Sequence, residues 1–471
     1  MQTAPEFPAQ LEWVNGDPVL MGAQRGRVVA LVFWHAASAY CHNLLADLEL
    51  IATRHADGLT VVAVHTPKFD AERDPRIPLK AINRLGSRLP VAHDRLFLLW
   101  QHYEVRAWPT VVLIDPEGRV DGRFVGDDQG SAIERGILGL LERTGAEARQ
   151  FGPPVQGFRP EPRTPLSFPS GIVVGTHRLY VADTGHHRVL ECSHDGRVLR
   201  SFGSGNPGYV DGHANESSLS RPQGLHLGRE GLFIADTGNH SVRRVNLLSG
   251  EVSTVIGTGQ RRQPEQGLGS TPTTTALDSP FAVTGSREKI WVSLAAGNQI
   301  VELDQMEQRM RILVGNGRLG LADGGGEHAM LAQPAGLALW QQSLLVADSA
   351  ASAIRSVHLA GGQVHTLTGR GLFEFGSEDG PRQAALLQHP QGVALDAEKS
   401  VLWIADTYNN QIRYLRLDGG QLHSQVLEWV LHEPAAVALG ANALWIANTN
   451  AHEVLRYDFM TRQIERLPIG E

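Results

Sequence analysis

From residue 169 onward the chain repeats one pattern six times, and this repetition restricts the possible folds more than any other feature. Each repeat starts with a proline before a short strand-like run and continues with a second run such as LYVAD or LWIAD. Two further strand-like runs follow, which gives the four short strands of a propeller blade. The repeats begin at Pro169, Pro222, Pro280, Pro334, Pro390 and Pro434. We therefore predict a six-bladed β-propeller over residues 169–471, because a parallel β-helix uses much shorter repeats.

A polar residue ends the second run of every repeat. These positions hold Asp183, Asp236, Ser293, Asp348, Asp406 and Asn448. The carboxylates resemble catalytic acids, but such side chains at strand ends also accept backbone N–H bonds in the turn that follows. We therefore interpret them as structural residues.

The first part of the chain alternates strands with helices. Val28–Trp34 is an apolar run rich in β-branched residues, and apolar residues at 44, 45, 48 and 51 then follow the spacing of one helix face. A second buried strand at Leu59–His65 makes this a parallel crossover unit. A hairpin turn at 115–118 and a helix over 130–142 complete an α/β domain, a mixed sheet with helices on both faces.

The predicted organisation is multidomain, α/β followed by all-β. The α/β domain covers residues 1–146, and the propeller covers residues 169–471. Between them, residues 147–168 contain five prolines and little periodicity, which indicates a semi-rigid Pro-rich linker. Most of the 51 glycines follow residue 150, as the many tight turns of a propeller require.

Composition and charge argue against several classes of partner. The net charge is −8 and no dense run of Lys or Arg occurs, so we expect neither nucleic acid nor a membrane surface as a partner. Two basic pairs, Arg243 with Arg244 and Arg261 with Arg262, are interpreted as solvated charges. No signal peptide or apolar span is evident, which predicts a cytoplasmic protein.

The number and placement of the cysteines also agree with a cytoplasmic protein. The two cysteines, Cys41 and Cys192, fall in different predicted domains. This placement argues against a structural disulfide framework, which small secreted domains use to stabilise their folds.

Three short segments carry a resemblance to a known family. FWHAASAYC joins the first strand to the first helix, WPT precedes the hairpin, and DTGHHRV opens the propeller. With the six repeats, nearly the whole chain resembles the thioredoxin-like NHL-repeat proteins. The resemblance implies a thioredoxin-like fold followed by a six-bladed NHL-repeat β-propeller. It also implies a cis-proline at Pro109, facing the active-site loop.

The redox motif of the first domain is incomplete. Thioredoxin-like oxidoreductases place Cys-x-x-Cys at the N-terminus of the first helix, where the helix dipole lowers the pKa of the attacking thiol. Here the motif is Ser38-Ala39-Tyr40-Cys41, with serine at the attacking position. Because a hydroxyl cannot form a disulfide, two-thiol exchange within this domain has no first step. The predicted binding residues around this loop are Trp34, Tyr40, Trp108, Pro109 and Thr110.

Three interpretations of Cys41 remain open at this point. It is a buried structural thiol, a single reactive thiol used for binding or sensing, or half of a redox pair with a cysteine of another protein. Ser38 also suits the N-cap of the helix. His35 and His42 flank the same loop and could hydrogen-bond a ligand, although most such residues are only exposed polar side chains.

The hypothesis that the sequence favours is a binding or scaffold protein with a degenerate SxxC motif. Its partner, a protein or peptide, would bind in the interdomain groove or on the propeller face that carries the long Gly-rich loops 203–220, 257–279, 315–333 and 369–389. The alternative is a thiol–disulfide oxidoreductase that acts through Cys41 alone or with an external thiol. No cofactor or metal motif is present, and His186 and His187 are not assigned as ligands.

Overall fold

The computed structural model describes residues 2–143, 155–263 and 266–470. These residues form two compact units, and the chain passes from one unit to the other between Pro162 and Arg163. This point lies inside the predicted linker. Residues 147–154 of that linker lie outside the described residues, whereas residues 155–162 hydrogen-bond to the first unit.

The first unit is a mixed sheet flanked by helices. Its strands are β1 (Glu12–Trp13), β2 (Val28–Trp34), β3 (Leu59–His65), β4 (Val91–His93), β5 (Thr110–Ile114) and β6 (Val120–Val125). Its helices are α1 (Ala39–Arg54), α2 (Arg76–Leu85), α3 (Leu98–His102) and α4 (Gly130–Arg143). The strand order is β1-β4-β3-β2-β5-β6, with β2 parallel to β3 and antiparallel to β5. The predicted crossover unit and hairpin are confirmed.

Strand β2 lies in the middle of this sheet and is buried along its whole length. Val32 and Trp34 share a core with residues of α1, α2 and α4. Leu31 and Phe33 point to the opposite face, where Leu99 of α3 packs. Burial on both faces explains why β2 is a continuous apolar run rather than an alternating one. Helix α1 begins shortly after β2 ends, so the N-terminus of α1 lies near the C-terminal end of this central strand.

The second unit consists of six antiparallel sheets, numbered here as blades 1–6. Blade 1 contains Pro169–Val174, Leu179–Asp183, Arg188–Cys192 and Val198–Phe202; blade 2 contains Pro222–Gly228, Gly231–Asp236, Ser241–Val245 and Glu251–Ile256; blade 3 contains Pro280–Gly285, Lys289–Leu294, Gln299–Asp304 and Arg309–Val314. Blade 4 contains Pro334–Trp340, Ser343–Asp348, Ala353–His358 and Val364–Thr368; blade 5 contains Gly392–Asp396, Val401–Asp406, Gln411–Arg416 and Gln421–Gln425; blade 6 contains Pro434–Leu439, Ala443–Asn448, Glu453–Asp458 and Ile464–Arg466. Two blades have a fifth, short edge strand: Gly212–His213 in blade 2 and Gly380–Pro381 in blade 5.

The blades form a closed ring. The first strand of each blade contacts the first strand of the next, and blade 6 meets blade 1 in the same way. This close approach explains the recurring Pro-x-Gly: a Cβ on Gly171 would lie 2.0 Å from the Gln223 carbonyl oxygen. At the closing junction, Thr449 Oγ1 donates a hydrogen bond to the Pro169 carbonyl (2.7 Å). The prediction of a six-bladed propeller is confirmed.

Candidate functional site

The N-terminus of α1 holds the SxxC motif. Ser38 is the N-cap of the helix, with extended backbone, and its Oγ accepts a hydrogen bond from the Cys41 backbone N–H (3.2 Å). The serine hydroxyl at the attacking position therefore caps the helix, as the sequence indicated.

Cys41 has no solvent-exposed surface and packs in the core that contains Val32 and Trp34 of β2. Burial raises the pKa of its thiol to about 12, although the hydrogen bond from Ser38 acts in the opposite direction. The general effect of a helix N-terminus, which lowers a thiol pKa, is thus outweighed by desolvation. Cys192 is likewise free and buried, in the core of blade 1, and burial raises its pKa to about 12.

The predicted binding residues differ in exposure. Trp34 and Thr110 are buried, whereas Tyr40 and Trp108 are half-buried. The Trp108–Pro109 bond is cis, as the resemblance implied. Trp108 packs against the core that contains Trp34 and Cys41, so these residues are brought together, and its indole N–H donates to Thr66 Oγ1 (2.6 Å).

A buried glutamate holds the SxxC loop and was not found from the sequence. Glu72 has no exposed surface, and its carboxylate accepts N–H bonds from Ala37 (2.9 Å), Lys68 (2.7 Å) and Phe69 (3.1 Å). His35 Nδ1 lies 3.3 Å from the same carboxylate. Burial alone would raise the pKa of Glu72, but His35 and the backbone donors outweigh it and hold the pKa below its usual value. Glu72 lies in a charged surface-type segment, which gives no local signal of burial.

Two neighbouring histidines form a second buried polar contact. His65 Nδ1 and His93 Nδ1 are 3.0 Å apart, and His93 Nε2 lies 3.1 Å from the Arg73 carbonyl oxygen. A carbonyl only accepts, so His93 donates from Nε2 and accepts at Nδ1 from His65. Burial lowers the pKa of His65 to about 3 and also lowers that of His93, so both rings are neutral.

Replacing Ser38 with alanine is expected to lower the free energy of unfolding by about 1 kcal/mol, because the N-cap bond to Cys41 is lost. Thr53→Ala is the matched control, since it removes a hydroxyl from the same helix that donates only to the exposed Glu49 carbonyl. Urea unfolding of both variants measures the effect. Equal changes in the two variants would contradict a capping role for Ser38.

In the propeller, the aspartates that end the second strands lie in buried ion-pair networks. In blades 2, 4 and 5 an arginine from the third strand pairs with this aspartate and, through its other Nη, with an aspartate of the preceding loop. The three sets are Asp236–Arg243–Asp211, Asp348–Arg355–Asp323 and Asp406–Arg413–Asp379. These carboxylates are therefore occupied by structural contacts.

Blades 1 and 6 use other partners at the same position, and blade 3 differs. Asp183 pairs with Arg188 (2.8 Å) in blade 1. In blade 3 the residue that pairs with the first proline of the blade is Leu294, and the predicted Ser293 lies one residue earlier, where its hydroxyl donates to the Ala335 carbonyl (2.7 Å). Asn448 donates to Glu453 (2.7 Å) in blade 6. The contacts of all six polar side chains agree with a structural interpretation, but the assignment of Ser293 to the equivalent position of blade 3 is wrong, because Leu294 lies there.

The interpretation of Arg243 as a solvated charge is wrong. Its side chain is completely buried, whereas the side chain of its neighbour Arg244 is 35% exposed and pairs with Glu230. Successive residues of a strand point to opposite faces, and Arg243 points between the blade and the preceding loop. The Arg261 side chain is also mostly buried, next to Asp278.

The long loops lie on one face of the propeller, called here the loop face. Each loop joins a fourth strand to the next first strand, and the turn between the second and third strands is at the same end. Hydrogen bonds connect the two elements: Asn239 Nδ2 donates to the Gly208 carbonyl (2.7 Å), and Asn409 Nδ2 donates to that of Gly376 (2.7 Å). The buried arginines fix the loops 203–220, 315–333 and 369–389. Loop 257–279 includes residues 264 and 265, which lie outside the described residues, and Val301 of blade 3 stands in place of the arginine.

The loop face exposes large apolar side chains. They are Tyr209, Val210, Leu319, Phe373, Val426, Trp429 and Val430. The opposite face, formed by the other turns of the blades, exposes Leu248, Met306 and Met460. The loop face therefore exposes more large apolar side chains than the opposite face.

Neither unit shows a metal centre or a membrane helix in its described part. Within residues 2–143, 155–263 and 266–470, no group of three or more His, Cys, Asp or Glu side chains is arranged to hold a metal ion. Over the same residues, no helix combines the length and apolar character needed to cross a membrane.

Comparison with known proteins agrees with this architecture. A thioredoxin-like family model matches residues 26–120, and an NHL-repeat model matches residues 166–192. The human NHL repeat-containing protein 2 is 31% identical over an alignment that covers 99% of this chain and 72% of the relative. This chain belongs to the family of NHL repeat-containing protein 2.

Two further relatives differ in how much of this chain they match. Protein SUPPRESSOR OF QUENCHING 1, chloroplastic, from Arabidopsis thaliana is 31% identical over 97% of this chain, which spans 46% of that protein. Thiol-disulfide oxidoreductase YkuV from Bacillus subtilis is 21% identical over 30% of this chain and 97% of its own length. The similarity to NHL repeat-containing protein 2 thus spans both units, whereas the similarity to YkuV covers less than a third of the chain.

Proposed function

We propose that this member of the NHL repeat-containing protein 2 family binds a protein or peptide partner through the loop face and does not exchange disulfides. The observation that carries the proposal is the set of large apolar side chains exposed on the loop face, four of which (Tyr209, Val210, Leu319 and Phe373) lie on loops that buried arginines already hold in place. A surface that is ordered before binding loses little conformational entropy when the partner arrives. Exposed aromatic residues such as Phe373 and Trp429 are of the type that contributes most to binding energy.

The alternative, an oxidoreductase that acts through Cys41, has less support. Cys41 is completely buried, and its pKa of about 12 leaves almost no thiolate at neutral pH. Ser38 cannot supply the attacking sulfur. The similarity to YkuV favours this alternative only through the fold of the first unit.

We also propose a cytoplasmic location. Both cysteines are free and buried. Free thiols are typical of proteins in reducing compartments, where disulfides are rare.

Replacing Phe373 and Val430 together with serine is expected to weaken partner binding by at least about tenfold, since tenfold corresponds to about 1.4 kcal/mol and the few side chains that dominate an interface each cost about 2 kcal/mol or more when truncated. Their side chains are 69% and 71% exposed. Affinity purification of the tagged full chain from its native cells, with quantitative mass spectrometry of the retained proteins, measures the change.

The matched control replaces Met306 and Met460 with serine, because both are 82% exposed on the opposite face. This variant is expected to retain the same partners as the unchanged protein. Equal retention by the two double variants would exclude the loop face as the binding surface. Disulfide reduction by the purified unchanged chain that disappears in Cys41→Ala would support the alternative function instead.

A further inference from the structure

Six equivalent hydrogen bonds join each blade to the next. In each, the side chain of the residue that ends the turn after a second strand accepts the backbone N–H of the residue just before the next blade. The acceptors and donors are His187 and Arg221, His240 and Ser279, Asn298 and Gln333, Ser352 and His389, Asn410 and Glu433, and His452 and Phe168. The distances are between 2.7 and 3.1 Å. We call each of these bonds a latch.

The acceptor atoms differ in their chemistry. Asn298, Ser352 and Asn410 accept through oxygen atoms that do not titrate in the ordinary pH range. A histidine accepts at Nδ1 only while that nitrogen is unprotonated. Three latches use a histidine in this way: His452 joins blade 6 to blade 1, and His187 and His240 make the two latches on either side of blade 2, at 3.1 Å each.

We propose that the two junctions of blade 2 are acid-sensitive, because protonation of His187 and His240 opens the latches there. The junctions held by Asn298, Ser352 and Asn410 stay latched under the same conditions. This inference does not depend on the proposed binding function, although the loops on both sides of blade 2 belong to the loop face.

The charges around the two histidines favour their neutral forms in the closed ring. His187 faces Arg221 of the next blade and His186 and Asp183 of its own turn, and His240 faces Arg221 and Arg261. Burial, followed by the Arg221 charge, lowers the pKa of His187 to about 4, although Asp183 acts in the opposite direction.

The same effects act on His240. Burial, followed by the charges of Arg261 and Arg221, lowers its pKa to about 3. Asp278, next to the donor Ser279, pairs with Arg261 at 3.5 Å and so offsets part of that charge.

The direction of the pH effect follows from the two protonation states. In an open latch the histidine regains its ordinary pKa of 6.5, whereas in the closed latch it stays neutral down to about 4 or 3. Above pH 6.5 both states are neutral and opening does not depend on pH. Between pH 6.5 and about 4 only the open state binds a proton, so the opening equilibrium increases by up to ~10-fold for each pH unit.

Hydrogen exchange at the donor amides tests the proposal in the full chain. Each latch protects one backbone amide, so protection at Arg221 and Ser279 reports the histidine latches, and protection at Gln333 and Glu433 reports the asparagine latches. After correction for intrinsic exchange, we expect protection at Arg221 and Ser279 to decrease ~15-fold between pH 6.5 and pH 5.0. Protection at Gln333 and Glu433 should change less than threefold, about one-fifth of that effect.

The chain itself suggests the matched variant. His187→Asn with His240→Asn installs the side chain that already serves at 298 and 410, and we expect the acid dependence at Arg221 and Ser279 to disappear. If the four amides of the unchanged protein lose protection equally, the proposal is overturned without recourse to the variant. An unaltered acid dependence in the folded variant would overturn it as well.

Discussion

Replacing Arg243 with methionine is expected to lower the free energy of unfolding of the propeller by about 3–5 kcal/mol. Arg243 is completely buried and is 3.0 Å from the equally buried Asp236 and 2.5 Å from Asp211 of the preceding loop. Methionine fills much of the volume but leaves the Asp236 carboxylate buried without its cation. The penalty therefore arises mainly from an uncompensated charge rather than from a cavity.

Arg244→Met provides the control from the adjacent residue. Arg244 is partly exposed and pairs with Glu230, whose side chain is 57% exposed, so its loss should cost no more than about 1 kcal/mol. Urea unfolding of the full chain, followed by hydrogen exchange in peptides from residues 231–256, separates the propeller from the first unit. Similar losses in both variants would show that the buried network contributes little to stability.

The second large effect concerns the thiol of Cys41. At pH 8 we expect iodoacetamide to modify Cys41 in the folded protein at least ~1000-fold more slowly than in the urea-unfolded chain. The change of the thiol pKa from 9.0 to about 12 reduces the thiolate fraction by about this factor, and burial further restricts access of the reagent. Mass spectrometry of the labelled peptides measures Cys41 and Cys192 separately in one sample.

The unfolded chain provides the reference rate, and Cys192 provides an internal comparison, since its pKa is also raised to about 12 by burial. Both thiols should react slowly in the folded state and rapidly in urea. Rapid labelling of Cys41 alone in the folded chain would mean that the SxxC loop opens, and it would restore a single reactive thiol as a functional interpretation.

Much of the architecture was predictable because local sequence patterns set it. The Pro-x-Gly motif marks first strands that approach each other closely around the propeller axis. At Gly171, for example, the backbone of Gln223 leaves no space for a Cβ. Ser38 ends an extended segment before an amphipathic helix, and an N-cap requires only neighbouring residues. The run of apolar residues in β2 likewise indicates a strand covered on both faces.

The candidate site was only partly predictable. The replacement of the attacking cysteine by Ser38 is visible in the sequence, and it excludes two-thiol exchange within the domain. The burial of Cys41 is not visible there, because the residues that cover it come from separate strands and helices. Of its three possible roles, the buried thiol now has the geometric support.

The sequence by itself determined the number of blades, the crossover unit, hairpin and closing helix of the first unit, and the missing thiol, since each depends on residue type and short spacing. Tertiary structure alone decided which polar groups lose their water. Glu72 and Arg243 belong to charged segments that look solvated, yet both are completely buried against partners from distant segments. Desolvation depends on the surroundings that the whole fold creates, and no short stretch of sequence contains that information.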